Sequence, residues 1–290
     1  MGLDLRKLEH LVAVAEEGGF TRAAARLHLT QQALSTSVRS LEREVGVPLL
    51  RRDTGGVTAL PAGQALIDDA RVLHGIARSA LHRARRIGRG GAETLRVGHT
   101  PAVTSDEVTA LVHTALAELP GLGTEVHQHY PQRLADDLLG GDLDLGLCRG
   151  MHPQHGLTRS TLRQDRLSLA VAAEHHLADR DHVELTELAA ERLVVWGDPG
   201  RSGYTDLLLE HCRRAGFEPE HLRNPIQGTP PVTAVIGTGY VALVTAPPGP
   251  AAGGRTRVVE LRPALFAPLH ALWPAHLAHD LRDAFLTASL

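Results

Sequence analysis

The chain has 290 residues, room for about two domains, and 43% of them are hydrophobic, enough for ordinary cores. No apolar run approaches a membrane span, and the N-terminus lacks a charged-then-apolar signal pattern. The two cysteines, Cys148 and Cys212, stand 64 residues apart without metal spacing, so a reduced, cytoplasmic protein with no membrane association is expected. The net charge of −3 hides an asymmetry. Residues 1–90 hold 14 Lys and Arg against 9 Asp and Glu, a net of +5, whereas residues 91–290 hold 16 against 24, a net of −8. A basic N-terminal part beside an acidic remainder fits one module on nucleic acid and one off it.

In chain order, residues 4–17 read as a helix with Leu5, Leu8, Leu11, Val12 and Ala15 on one side, closed by Gly18-Gly19. Two short helical patterns follow within 20–44. Thr21 is a suitable N-cap for the first, whose Ala23, Ala24 and Leu27 form a small-residue face; His28 and Leu29 turn, and Thr30 caps the second. Leu34, Val38, Leu41 and Val45 then fall at steps of 4, 3 and 4, an inward stripe. The opposite face carries Gln32, Thr36, Arg39 and Arg43, flanked by Ser35 and Ser40. Amide, hydroxyl and guanidinium groups on one exposed helix face can read base edges and grip phosphate. Periodicity alone fits a plain helical hairpin with a solvated polar face equally well. The continuation separates the two readings. Leu49-Leu50-Arg51-Arg52 runs into Thr54-Gly55-Gly56-Val57, a short basic hairpin, and Pro61-Ala62-Gly63 opens a long helix, which together describe a winged helix-turn-helix.

The long helix, 62–88, extends about 40 Å. Its apolar residues lie on two interleaved sevens, Leu66, Leu73, Ala80, Ile87 and Ala70, Ala77, Ala84, the period of a coiled-coil seam; a helix lying on its own domain is the alternative. Gly88-Arg89-Gly90-Gly91 breaks it and gives a hinge. From Thr94 strands alternate with helices: strands at 95–98, 123–129, 143–148, 167–173, 192–196, 240–244 and 257–261, helices at 105–119, 134–139, 204–215, 232–238 and 278–287. Such alternation implies crossovers and a mainly parallel sheet.

The run FTRAAARLHLTQQALSTSVRSLEREVGVPLLRR, followed by PAG, resembles the DNA-binding domain of LysR-type transcriptional regulators, and the match covers residues 3–88 without a gap. Gln32 stands where the family often has Pro, Thr36 where it usually has Arg or Lys, Ser37 where Gln is frequent, and Gly55-Gly56 where a basic residue is common. A looser similarity continues beyond, with Gly140-Gly141-Asp142-Leu143-Asp144-Leu145 and Arg214-Ala215-Gly216-Phe217-Glu218-Pro219 as its markers. The resemblance implies an α/β protein with an N-terminal all-α winged helix-turn-helix (1–61), a linker and dimerisation helix (62–88), a hinge (89–93) and an effector-binding domain (94–290). That domain would have two α/β lobes, about 94–160 with 265–290 and about 161–264, like a type 2 periplasmic binding protein. It also implies the partners: double-stranded promoter or operator DNA, a small-molecule effector, a homodimer or homotetramer, and RNA polymerase as a further contact.

On this reading Gln31, Gln32, Ser35 and Thr36, next to the capping Thr30, face the bases, and Arg39, Arg43, Arg51 and Arg52 grip phosphate. Effector contacts come from loops at the C-terminal ends of strands: Thr100 and Pro101 ahead of a helix N-terminus, Gln128 and His129, Arg149, and Arg201 and Ser202. Thr100 occupies the position of an effector-binding Ser or Thr in relatives. Thr100, Arg149 and Arg201 converge on a small carboxylate, unless Arg149 and Arg201 pair with acids such as Asp144 or Asp198. The aromatic content of 3% points away from a stacked aromatic ligand. No catalytic set is marked: GxSxG, P-loop and HExxH are absent, and Ile236-Gly237-Thr238-Gly239-Tyr240 reads as a connecting turn. His127 and His129, His152 and His155, and His175 and His176 are pairs, and two residues do not make a metal site; His175-His176-Leu177-Ala178 resembles a family turn motif usually written His-Pro-Leu. No metal, cofactor or enzymatic activity is therefore assigned. The rival is a small-molecule-binding or catalytic α/β protein whose N-terminal helices serve assembly, and the net +5 of residues 1–90 opposes it.

Overall fold

In the computed structural model, which describes residues 3–53, 55–88, 94–226 and 228–289, Asp4 opens helix α1 (Leu5–Glu17) by accepting the Arg6 amide proton. The proposed hinge 89–93, Thr54 of the hairpin and the Ile87 side chain of the seam lie outside the described residues. Gly18 closes α1 in the left-handed region, φ 61°. Helix α1 packs on α2 (Phe20–Arg26), α3 (Gln31–Val45) and α4 (Pro61–Gly88) at once. Burial therefore extends to Ala13 and Val14 besides Leu8 and Leu11, while Leu5, on the first turn, stays exposed. Thr21 does not cap α2: the helix already includes Phe20, which is buried, and starts from Gly19 without a side-chain cap. Thr30 does cap α3, its hydroxyl accepting the Ala33 amide at 3.2 Å. Leu34, Val38 and Leu41 are buried, but Val45 is exposed, because α3 ends there at Gly46 (φ 86°) and the chain turns away.

The hairpin forms strands β1 (Leu50–Asp53) and β2 (Gly56–Ala59), antiparallel. Three contacts fix its attitude. Glu42 Oε1 accepts from the amides of Leu49 and Leu50, Val57 N–H donates to Gly18 O, and Gly63 of α4 lies so close that a Cβ there would sit 2.0 Å from Leu49 O. Ile67 and Ala70 of α4 complete this core.

The chain continues through β3 (Thr94–His99), α5 (Ser105–Glu118), β4 (Gly123–Gln128), α6 (Pro131–Leu139), β5 (Leu145–Cys148) and β6 (Leu157–Arg166). It then forms β7 (Ser168–Ala172), β8 (His182–Glu184), β9 (Arg192–Val195), α7 (Gly203–Arg214), β10 (Glu220–Arg223), β11 (Tyr240–Val244), β12 (Gly249–Ala251), β13 (Thr256–Arg262), β14 (Phe266–Pro274) and α8 (Asp280–Ala288). These strands form two sheets, ordered β4-β3-β5-β14-β6 and β10-β9-β11-β7-β13-β12, with β8 beside β13. Each sheet has its own core, Leu95, Val97, Leu145 and Leu147 in the first, Leu169, Val171, Leu193 and Leu243 in the second.

Four expectations are corrected. The sheets are mixed, not mainly parallel: β14 runs antiparallel to β5 and β6, and β7 antiparallel to β11 and β13, because the chain crosses between lobes through β6–β7 and β13–β14 and re-enters each sheet reversed. The first sheet holds the chain as far as Arg166, so the crossing lies at 166–168, beyond the expected 160–161. Residues 232–238 are not a helix; Pro230 and Pro231 and the glycines at 237 and 239 leave one 3₁₀ turn, Pro231–Thr233. The α4 seam is not wholly free: Ala70 is buried and Leu66 packs against the winged-helix core, while beside the seam Val72 and Gly75 pack on residues 139 and 156 of the first lobe, where a Cβ on Gly75 would lie 1.7 Å from Leu139 O. No helix among the described residues is long and apolar enough to cross a membrane.

Candidate nucleic-acid interface and inter-lobe cavity

On α3, Gln31, Gln32, Thr36, Arg39 and Arg43 are exposed and Ser35 is half-buried. The Thr36 hydroxyl donates to Gln32 O at 2.9 Å, so its proton is used within the helix. Arg39 and Arg43 form no ion pair among the described residues, which leaves both guanidinium charges to the solvent side. Arg51 pairs loosely with Asp53 at 3.6 Å. Arg52 is held more firmly: its guanidinium lies 4.0 Å over the Phe20 ring and donates to Ser35 Oγ at 3.2 Å, tying the wing to both helices of the motif. A planar donor fork and an amide-rich helix end are thus presented on one surface.

Between the two sheets lies a cavity of about 270 Å³. The first lobe contributes Thr100 and Pro101 after β3, Tyr130 to Gln132 at the start of α6, and Arg149 and Met151 after β5. The second contributes Trp196 to Asp198 after β9, Arg201 to Tyr204 at the start of α7, and Arg223. Three buried polar atoms of its walls have no hydrogen-bond partner among the described residues: Thr100 Oγ1, Trp196 Nε1 and Arg149 Nε. Orphaned buried groups of this kind are rare, and all three can donate. Burial pushes the Tyr204 phenol up to about 12, so it too stays a protonated donor. Helix α6 follows Tyr130 without a side-chain cap; Pro131 has no N–H, so the amides of Gln132 and Arg133 are the uncapped donors at the end of the helix that lines this cavity.

Several expected contacts change. Thr100 is not at a helix N-terminus: α5 begins five residues later, and Thr104 and Glu107 cap it reciprocally, while the Thr100 amide donates to Leu147 O. Arg149 is 1% exposed and is neutralised by Glu107, at 2.9 Å, and by Asp165; it also donates to Ala102 O. It reaches the cavity as a wall already balanced by two carboxylates and not as a free receptor for an anion. Neither acid suspected from the sequence is its partner, since Asp144 binds Arg96 and Asp198 binds Arg223. Arg201 is exposed and has no ion pair among the described residues. Gln128 and His129 do not line the cavity. Strand β4 ends at the sheet edge, Gln128 lines a separate hollow with Thr104 and Pro230, and His129 Nδ1 faces Asp137 at 3.7 Å; the next three residues take their place.

Sequence reasoning missed Tyr130, Trp196 and Tyr204. Two of the three tyrosines and one of the two tryptophans of the chain line this one cavity, so the low aromatic content is no argument against a flat ligand. It also missed Glu107, whose Oε1 accepts the Thr245 hydroxyl at 3.0 Å and so links α5 of the first lobe to the end of β11 in the second.

Residues 5–64 match the family model of bacterial regulatory helix-turn-helix proteins, lysR family, and residues 88–288 match that of the LysR substrate binding domain. The chain is 32% identical over 217 residues to the HTH-type transcriptional regulator TfdS of Cupriavidus pinatubonensis (strain JMP 134 / LMG 1197), spanning 75% of this chain and 74% of that protein. To the uncharacterized HTH-type transcriptional regulator YnfL of Escherichia coli (strain K12) it is 30% identical, across 95% and 94% of the two chains. Among solved structures, the LysR family regulator CbnR shares the fold with a TM-score of 0.61 at 23% identity, over 99% and 98% of the chains. The same regulator complexed with its target DNA gives 0.60 at 22%, over 99% of each chain.

Proposed function

The chain belongs to the LysR family of DNA-binding transcriptional regulators, which are not enzymes, and from that premise we propose that the α3 face reads an operator under the control of a small carboxylate held between the lobes. The observation that carries the effector reading is the convergence of Thr100 Oγ1 and Trp196 Nε1, buried donors without partners among the described residues, on one cavity with the uncapped end of α6 and with Arg201, which forms no ion pair among them. Donors without acceptors call for a ligand rich in acceptors, and the Tyr130, Trp196 and Tyr204 side chains accommodate a flat apolar body. A thermal-shift screen of carboxylates and their uncharged isosteres on the full chain tests it. Thr100→Val and Trp196→Phe are each expected to weaken the best carboxylate by about 1–3 kcal/mol, and Arg149→Ala to lower stability as well, since it strands Glu107 and Asp165. Uncharged best hits, or Thr100→Val binding as tightly as wild type, would rule the carboxylate out.

For DNA, Gln31, Gln32, Ser35 and Thr36, beside the capping Thr30, face bases in this proposal, and Arg39, Arg43, Arg51 and Arg52 hold phosphates, within a unit spanning residues 1–61. Arg43→Ala is expected to weaken all duplexes alike and to lower the salt slope by about 1, whereas Gln32→Ala changes base preference by about 1–3 kcal/mol. Gel shifts on the DNA upstream of the protein's own coding region, across several salt concentrations, distinguish the two; equal affinity for that DNA and random duplex would refute the reading.

Helix α4 keeps Leu73, Ala80 and Leu81 exposed, an apolar strip left over after its inward residues are spent. We assign this strip, within residues 62–88, to self-association, to a homodimer and further to a homotetramer. Leu73→Asp with Ala80→Asp should yield monomers by light scattering with much weaker operator binding. A wild-type chain that is monomeric at micromolar concentration contradicts it.

A further inference from the structure

The turn after β7 places two histidines beside a carboxylate from a distant part of the chain. His175 N–H donates to Ala172 O at 3.0 Å and Ala178 N–H to His175 O at 2.8 Å, so the turn is pinned on both sides. Glu191 closes the 3₁₀ segment Leu185–Ala190, its amide donating to Leu188 O at 3.1 Å. Across this gap Glu191 Oε1 lies 3.2 Å from His176 Nε2, and Oε2 lies 3.5 Å from His175 Nε2. One ligand atom from each residue falls within 4.8 Å of the others. Ligands about 2.0–2.2 Å from a tetrahedral ion are themselves about 3.3 Å apart, so each imidazole already stands about one such edge from a carboxylate oxygen, and small side-chain rotations bring both onto the same one.

Charge points the same way. The Glu191 side chain is 11% exposed, and among the described residues neither Arg nor Lys pairs with it; its partners are the two imidazoles. A largely buried carboxylate calls for a balancing cation. We propose that His175, His176 and Glu191 form a binding site for a divalent transition-metal ion, with Zn²⁺ the best fit to two imidazole nitrogens and one carboxylate oxygen. His176, with 68% of its side chain exposed, leaves an open side on which water completes the coordination. Binding through His175 Nε2 moves the ring proton to Nδ1, so the 3.3 Å hydrogen bond that Nδ1 accepts from the Leu177 amide is given up. The sequence displayed the histidine pair but not its third donor, fifteen residues on. By contrast His127 and His129 have ring centroids 6.1 Å apart and join no such group among the described residues.

The site lies apart from the inter-lobe cavity. Strand β7 runs antiparallel to β11, which runs parallel to β9, so the last residues of β7 and the first of β9 lie at the same end of the second sheet. Trp196, which follows the far end of β9, lines the cavity. An ion at 175–176 and 191 therefore clamps the β7 turn to the strand that carries a cavity wall, without sharing a residue with it.

The test uses the full chain, stripped with a chelator and dialysed, titrated with Zn²⁺ by calorimetry and with Co²⁺ by visible absorption. One equivalent per chain is expected. Loss of even an outer partner of a metal ligand costs about 10–100-fold, so His176→Ala and Glu191→Gln should each weaken binding by about a hundredfold or more, while His127→Ala leaves it unchanged. His176→Ala removes an exposed side chain, so the metal-free variant should melt with the wild type while losing the rise in melting temperature that Zn²⁺ gives. No stoichiometric binding to the wild type, or binding that survives both His176→Ala and Glu191→Gln, overturns the proposal.

Discussion

Asp144→Ala is expected to lower the unfolding free energy by about 3–5 kcal/mol, the range for removing one partner of a buried ion pair, with the lower end favoured because Arg96 keeps some contact with water. Asp144 is 2% exposed. Its carboxylate accepts from the Arg96 amide at 2.9 Å, from Nε at 3.0 Å and from Nη2 at 2.7 Å, and it faces His279 Nε2 at 3.4 Å. One side chain thus ties β3 to β5 and to the start of α8. Burial alone pushes its carboxyl up, but the hydrogen bonds from His279 and Arg96 outweigh burial and hold it well below the usual carboxylate range. A depressed folded-state pKa gives stability that is present above the unfolded value, near 3.8, and is lost as pH falls below it. Urea unfolding of the wild type should therefore show stability falling through the acid range, and Asp144→Ala should flatten that fall as well as lower the plateau at pH 7. Asp144→Asn, which keeps shape and removes charge, should lie between the two. Equal stability of wild type and Asp144→Ala at pH 7 would show that the pair is not structural.

What could be read from the sequence followed the range of the interactions. The winged helix was legible because its signals are local: Thr30 four residues ahead of Leu34, a stripe of helical period, and a hairpin between Leu50 and Ala59. Strands β6 and β14 were not. LTRSTLRQDR buries only Leu157 and Leu162 at a sheet edge, and FAPLHALWP contains two prolines, so neither carries a strand's alternation cleanly. The cavity shows the same division. Thr100, Pro101, Arg149, Arg201 and Ser202 follow strand ends, a topological rule that sequence can apply, and they do meet there. Which loop residues point inward depends on where α6 starts, and this moved the wall from Gln128 and His129 to the residues just after them. The neutralisation of Arg149 depends on Glu107 and Asp165, brought together only by the packing of α5 against the crossing strand.

Gly203→Ala should cost effector affinity about 30–100-fold, equivalent to two of its hydrogen bonds and in the upper part of the range for a cavity side chain, although it removes none. Gly203 is the first residue of α7 in the second lobe, and Gly150 (φ 68°) follows Arg149 in the first. A Cβ on Gly203 would lie 1.9 Å from Gly150 O, and one on Gly150 would lie 2.3 Å from Gly203 C and O and 2.4 Å from Tyr204 N. The lobes therefore touch backbone to backbone beside the cavity, with no flexible side chain that can yield. Ordinary carbon contacts need about 3.5 Å, so alanine forces the lobes apart by roughly 1.5 Å. Helix propensity acts in the opposite direction, favouring alanine by about 1 kcal/mol inside a helix, so a loss cannot come from α7 itself. Each lobe retains its own core, and the winged helix is remote, so folding and DNA affinity without effector should persist. Separation also stretches the hydroxyl bridge between lobes from Thr245 to Glu107, and with it the support of Arg149. Hydrogen exchange should quicken at residues 149–151 and 202–205 in Gly203→Ala, and the thermal shift given by the best carboxylate should shrink. Gly239→Ala, where a Cβ meets nothing within 4 Å, is the control and should leave both unchanged. If Gly203→Ala binds that ligand as tightly as wild type with unchanged exchange, the contact between Gly150 and Gly203 does not set the cavity, and the two lobes close through other surfaces.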